Sequence, residues 1–282
     1  MIKRLRTSIA LMLFCTGLYA QQTIDATRYG IRPDTHSDVS PRVQKLLKQV
    51  RRLADKGEEE IIIRFAPGRY DFYPDKAAER EYYISNHDQD NPKRVGIPLE
   101  ELKRVTLDGG GARFVFHGRM LPVSLLHSEK CTLKNFSIDF ENPHIAQVRI
   151  IESDTVRGTT FAPEKWVRWR ITPDSAFEAY GRGWTVRHSW GVVFEANTKR
   201  LVYNTGDRSC PTKGAYLTAS GYVHAPHWKD AALKPGMRFV MRGWGRPAPG
   251  IFLYGNTDTR LENIQVHYAE GMGLLAQLCE DI

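Results

Sequence analysis

The chain has 282 residues, 41% hydrophobic and 26% charged, an ordinary globular composition. Its formal charge of +8 is carried by scattered singles and pairs such as Arg51-Arg52. The basic stripe interleaved with aromatics that nucleic-acid binding requires is not present, so that class is set aside. Its four cysteines, Cys15, Cys131, Cys210 and Cys279, are too widely spaced for a disulfide framework or a zinc site.

The first twenty residues read as a secretory signal peptide. Lys3, Arg4 and Arg6 give a basic opening, Ser8 to Leu18 a short apolar run, and Ala20/Gln21 a cleavage point. The run is too short to span a membrane, and no later segment is apolar enough to do so. The mature chain, about 260 residues, is expected in the periplasm or outside the cell.

Asp25 to Ile31 predicts a short strand and a turn through Pro33-Asp34. Ser40-Pro41 opens a helix, with Ser at the cap and Pro in the first helical position. Val43, Leu46, Leu47, Val50 and Leu53 follow on one face of that helix, which ends near Gly57. Ile61-Ile62-Ile63-Arg64-Phe65 is a β-branched strand closed by Pro67-Gly68, and Tyr70 to Tyr73 resumes extended structure.

A repeat then appears. Val105-Thr106-Leu107-Asp108, Cys131-Thr132-Leu133-Lys134-Asn135 and Arg260-Leu261-Glu262-Asn263 are three copies, and Cys279-Glu280-Asp281 opens a fourth. Leu107 and Leu133 are 26 residues apart, the length of one coil of a parallel β-helix. Apolar residues alternate with polar ones, and Asn, Asp or Gly falls at a turn that accepts positive φ. Inward apolar residues stack into one core because no coil buries its own face alone. Asp281 is placed with Asn135 and Asn263 at an inter-coil turn. Gly109-Gly110-Gly111 reads as a turn rather than a phosphate cradle. Cys131 and Cys279 read as buried thiols in apolar ladders.

The second and third copies are separated by 128 residues, and the excess carries its own short alternating runs. Ala146 to Ile151, Trp166 to Ile171, Val192 to Phe194, Tyr216 to Thr218 and Arg238 to Met241 predict an inserted antiparallel β-barrel-like subdomain. Five of the six tryptophans lie there and Trp244 where the chain returns, each read as core before sugar platform. The expected fold is therefore all-β: a right-handed parallel β-helix with an N-terminal capping helix and that insert. Its divisions are 1–20, 21–140, 141–250 and 251–282.

The opening from Asp25 to Ile31, the capped helix and Ile63 to Tyr70 resemble the N-terminal cap of pectinase-like β-helix proteins. More closely, Asp25 to Gln49, Tyr82 to Gln89, Ser137 to Pro143 and Tyr268 to Gly273 resemble the alpha-1,3-galactosidases of glycoside hydrolase family 110. The resemblance implies inverting removal of terminal α-1,3-linked galactose from blood-group-B-type or linear galactosides, without a metal or organic cofactor. It implies a galactose-terminated oligosaccharide or glycoconjugate as partner. Members of that family are about twice this length, and their catalytic acids are expected beyond Ile282. The chain is accordingly expected to be an N-terminal fragment, cut in mid-coil and inactive alone.

Inversion needs a protonated carboxyl and a carboxylate roughly 6.5–9.5 Å apart. Stacked strands supply such pairs from neighbouring coils, about 4.8 Å per rung. The candidates are Asp139, Glu141 and Glu270, with His144 and His87-Asp88 as hydroxyl-binding groups not at metal spacing. Asp139 and Glu141, at alternate positions, share one strand face. Each of these acids is equally readable as a solvated or turn-capping residue. A polysaccharide lyase on the same scaffold would want a calcium-binding acid cluster, which is not visible; a glycan-binding protein without hydrolysis is the other alternative.

Overall fold

The computed structural model describes residues 21–56, 60–187 and 189–282, so the expected signal peptide and Gly57 lie outside the described residues. The described chain is mostly β-strand, and its one α-helix is Ser40–Ala54. Among the described residues no helix is long and apolar enough to cross a membrane.

Two sheets of mainly parallel strands carry the repeat. The first runs, in order, through Gln21–Asp25, Glu60–Arg64, Val105–Phe116, Glu129–Phe140 and Thr257–Val266, with Gly68–Phe72 also pairing on Val105–Phe116. The second runs through Leu274–Gln277, Ile251–Tyr254, Leu121–Leu126 and Lys93–Glu100, with Ala78–Arg80 antiparallel at its edge. The register is that of the sequence repeat: Leu107 lies on Leu133, and Leu133 on Leu261.

Like residues therefore stack on like, and the corners stack too. Glu101, His127, Gly255 and Leu278 share φ of 50–60°. Arg104, Lys130, Asp258 and Asp281 form a second left-handed row at φ 53–54°. A third corner is tied by side chains. Asn263 Nδ2 donates to Asn135 Oδ1 at 3.1 Å, and Asn135 Nδ2 to Asp108 Oδ1 at 3.0 Å. Asn and Asp tolerate this backbone region because their short polar groups satisfy neighbours there. At the Asp108 corner Gly110 has φ of 56°, and a Cβ there would meet the Phe65 carbonyl oxygen at 2.5 Å.

Two sequence expectations shift. Asp281 does not stack on Asn135 and Asn263: Thr259 N donates to the Asp281 carbonyl, and Thr257 is level with both Glu129 and Glu280. That register puts Asp281 over Asp258 and Lys130, and Cys279 beside Asn256. The reason is spacing, since Ile251 pairs with Leu274, 23 residues on, three fewer than the 26 between Ile97 and Val123. Cys279 is half-buried rather than buried, whereas Cys131 and Cys210 are fully sealed. Burial pushes the Cys131 thiol up to about 11 and that of Cys210 to about 12.

Ser40 is the first helical residue and does not cap the helix; its N–H donates to Asp38 Oδ1 at 2.9 Å and its hydroxyl to the Tyr73 carbonyl at 3.3 Å. The stripe of Val43, Leu46 and Val50 is buried as expected, with Leu47 and Leu53 packed beside it. It joins the same core as Ile63, Leu107, Leu133 and Leu253. At the centre stands Phe114, edge-on to Phe65 at 5.1 Å and Phe72 at 5.7 Å, and 5.2 Å from Phe136.

Residues from Ala146 onward build a separate core. Seven antiparallel strands pair in the order Arg208–Ser209, Trp190–Phe194, Arg238–Arg242, Ala146–Asp154, Gly158–Pro163, Val223–Ala225, Tyr216–Leu217. Trp169–Ile171, Phe177–Gly181 and Trp184–Val186 form a further sheet of three. Trp228 packs between Phe161 and Phe239, while Trp166 and Trp244 stand exposed.

Phe114→Ala should cost about 3–5 kcal/mol in unfolding free energy, because four aromatic neighbours cannot all collapse into the void. Urea denaturation checks it; a loss below about 1 kcal/mol contradicts the central role given to this ring.

Candidate functional site

The largest concavity is where the two cores meet. The chain leaves the parallel sheets through residues 141–145 and returns through residues 243–250, and both crossings line a cavity of about 640 Å³. Its wall comprises Arg119, His144, the Trp184–Val186 strand end, the Arg242–Pro247 loop and the Tyr268–Met272 segment. That volume is in the range of small-molecule sites.

The floor is held by one buried pair. His144 Nδ1 lies 2.6 Å from Glu270 Oε1, with side-chain exposures of 6% and 1%. Two ordinary acids or bases so deeply sealed would be costly alone, and proximity offsets part of the desolvation. Burial raises the Glu270 carboxyl above the usual range, and His144, Arg119 and the Met120 N–H only partly offset this. The His144 ring meets Trp184 edge-on at 4.7 Å, and its backbone N–H donates to the Tyr268 hydroxyl at 3.1 Å. Burial, with Glu270 nearby, pushes the Tyr268 hydroxyl far up, so it stays a neutral phenol.

The adjoining segment is clamped by His87. Its Nδ1 faces the Ser85 carbonyl at 2.9 Å, which fixes the proton there and leaves Nε2 to accept from the Met272 N–H at 3.2 Å. Gly271 is required by this contact, because a Cβ would stand 2.2 Å from His87 Nε2. The opposite loop is pinned as well. Lys93, a buried ammonium lowered by desolvation against the pull of Asp90, Asp88 and Glu270, donates to the carbonyls of Asp88 (2.7 Å) and Pro247 (3.0 Å). The Asp88 N–H donates to the Arg246 carbonyl at 2.9 Å.

Of the residues singled out in the sequence, the structure brings His144 and Glu270 together and adds His87 and Asp88 at their edge. Asp139 and Glu141 do not line the cavity. Asp139 accepts the Phe140 N–H at 2.8 Å on the outer face of its strand. Glu141, 43% exposed, pairs with Arg69 at 2.6 Å. Arg69 in turn holds the buried Asp71, which also meets His117 Nε2 at 2.8 Å. Burial would raise the Asp71 carboxyl, but the Arg69 and His117 contacts more than offset it and hold it low.

Sequence reasoning missed the accessible wall: Trp244, Arg119, Arg187, Arg242 and Arg246. The only local signal was Gly243-Trp244-Gly245, a tryptophan between two residues without side chains. Among the described lining residues Glu270 is the one carboxyl.

Comparison with known proteins follows the same division. Residues 146–238, nearly the whole antiparallel unit, match the family described as GLAA-B beta-barrel domain I. Over almost its full length the chain is similar to proteins named alpha-1,3-galactosidase B. It is 59% identical to one from Phocaeicola vulgatus over 98% of this chain and 46% of that protein. It is 53% identical to one from Bacteroides fragilis over the same shares, and 32% identical to one from Bacteroides thetaiotaomicron over 97% and 44%. Over the residues it spans, the chain belongs in sequence with the alpha-1,3-galactosidases. It spans about half the length of the curated relatives it matches.

The Glu270 pair gives a pH test. Its folded pKa lies above the unfolded one, so the stability this contributes is complete below the unfolded pKa and is lost as pH rises through the folded value. Glu270→Gln does not titrate. Its melting temperature relative to the unaltered protein should therefore rise as pH climbs above the ordinary glutamate range; a pH-independent difference contradicts the raised carboxyl.

Proposed function

We propose that this chain forms part of an inverting alpha-1,3-galactosidase that removes terminal galactose from blood-group-B-type or linear glycans. The observation that carries the reading is 48–59% identity to proteins of that name over at least 96% of the chain. We assign the cavity at the two crossings as this chain's share of the glycan site. It is the right size, it has a neutral phenol and arginine donors on its wall, and its backbone is pinned on both sides.

The two parallel sheets are read as faces of one right-handed parallel β-helix, with the helix Ser40–Ala54 as its cap and residues 141–250 as the insert. The left-handed corner rows and the 26-residue register support this. The basic opening and apolar run of residues 1–20 support export to the periplasm or beyond.

Hydrolysis with inversion needs two accessible carboxyls. Glu270 is 1% exposed, and no second carboxyl lines the cavity among the described residues. The role given to Glu270 and His144 is therefore to fix the floor, so that the acid pair belongs to chain beyond these residues. Galactosyl-α1,3-galactose incubated with the protein at the length of its relatives should yield galactose, first as the β-anomer by NMR. Residues 21–282 alone should yield none. Release by 21–282, or none by the longer protein, contradicts the reading.

A further inference from the structure

Trp244 is the largest apolar side chain offered to solvent at the cavity rim. Its indole is 70% exposed, an expensive display for a residue type that proteins ordinarily cover. The indole faces two concavities, the large one and a smaller one lined by Asn86, Asp88 and Arg246.

The display is built rather than incidental. Trp190 meets Trp244 edge-on at 5.4 Å and 74°, which supports one edge of the ring system and leaves a face open. The supporting loop is fixed before and behind. Arg242 ends a strand paired with Trp190–Phe194, and its guanidinium grips Asp207. Beyond the indole, Asp88 and the buried Lys93 hold the carbonyls of Arg246 and Pro247. Gly245 passes so close to Asp88 that a Cβ would stand 3.0 Å from its carboxylate. The loop is thus pre-shaped, and little ordering cost remains for a ligand to meet.

The chemistry of the surroundings selects the ligand. Arg246 donates to Asn86 Oδ1 at 2.7 Å, a bond that uses one of the five N–H donors a guanidinium carries. Arg242 and Arg187 are each matched by a carboxylate, Asp207 and Asp174. The rim therefore offers hydrogen-bond donors beside an aromatic face without a large uncompensated positive charge. That combination fits a neutral pyranose, whose ring presents an apolar C–H face and a girdle of hydroxyls, better than an anion or a peptide.

We infer that Trp244 is a stacking platform for the sugar next to the terminal galactose, with the Arg246 guanidinium donating to that sugar's hydroxyls. Trp244 stands at the mouth, while Tyr268 and the His144–Glu270 pair form the floor, so the terminal unit sits inside and its neighbour lies on the rim. The inference rests on the galactosidase reading and adds a specificity-determining residue to it.

Two substrates separate the roles. Galactosyl-α1,3-galactose has the second ring; α-galactosyl fluoride does not. In the full-length protein Trp244→Ala should raise KM for the disaccharide about tenfold, the size of one lost aromatic contact. It should leave kcat for the disaccharide and kcat/KM for the fluoride within about twofold. Trp244→Phe, which keeps a ring, should recover most of the lost affinity. The exposed site makes a folding defect an unlikely confounder in name only: melting temperatures of both variants should match that of the unaltered protein. Equal KM ratios in Trp244→Ala and the unaltered protein, with both substrates cleaved, overturn the platform alone. Cleavage of neither substrate by the unaltered protein overturns the galactosidase reading and the platform with it.

Discussion

Parallel strands stacked at a fixed offset can bury their inward side chains only on the repeat above and the repeat below. That dependence governs this molecule. Ile63, Leu107, Leu133 and Leu261 lie in one row because Ile63 pairs with Leu107, Leu107 with Leu133 and Leu133 with Leu261. The pairing holds only if the corners recur at the same height, hence the rows of left-handed residues and the amide chain from Asn263 through Asn135 to Asp108. A one-residue slip would turn the whole inward row toward solvent. The open first strands are met by the helix Ser40–Ala54, whose Val43, Leu46 and Val50 finish the same core.

The insert follows from the same geometry. Leu125 and Leu253 are paired neighbours although 128 residues separate them, so everything between must leave and return at one place. An excursion of that length cannot remain an unstructured loop and builds its own core around Phe161, Trp228 and Phe239. Leaving and returning side by side creates the crevice between the two cores. The His144–Glu270 pair joins one crossing to the segment after the last long strand, which keeps the crevice from collapsing or gaping. The site we propose is thus a product of topology first and of residue chemistry second.

Much of the frame was legible in the residues. Local periodicity gave the helix stripe, the strand Ile61–Ile63 and the 26-residue offset, because each is a pattern within or between adjacent windows. Asp281 was misplaced for a physical reason: alternation alone does not fix register, and a repeat three residues shorter keeps the same look. His144 and Glu270 were singled out separately, but their contact joins positions 126 residues apart and has no local signature. Asp139 and Glu141 looked equivalent to them as acids, yet lie away from the cavity, with Glu141 on Arg69. Trp244 carried no mark of exposure beyond its flanking glycines, since what uncovers it is the packing of the return loop against Lys93 and Asp88.

The central claim is that the crevice between the two cores holds the glycan. Hydrogen exchange with and without a non-cleavable, sulfur-linked galactosyl-α1,3-galactose tests it most directly. The account predicts slowed exchange confined to residues 242–247 and 268–272. Protection that instead appears around residues 69–71 and 139–141, with none at the crevice, would contradict it.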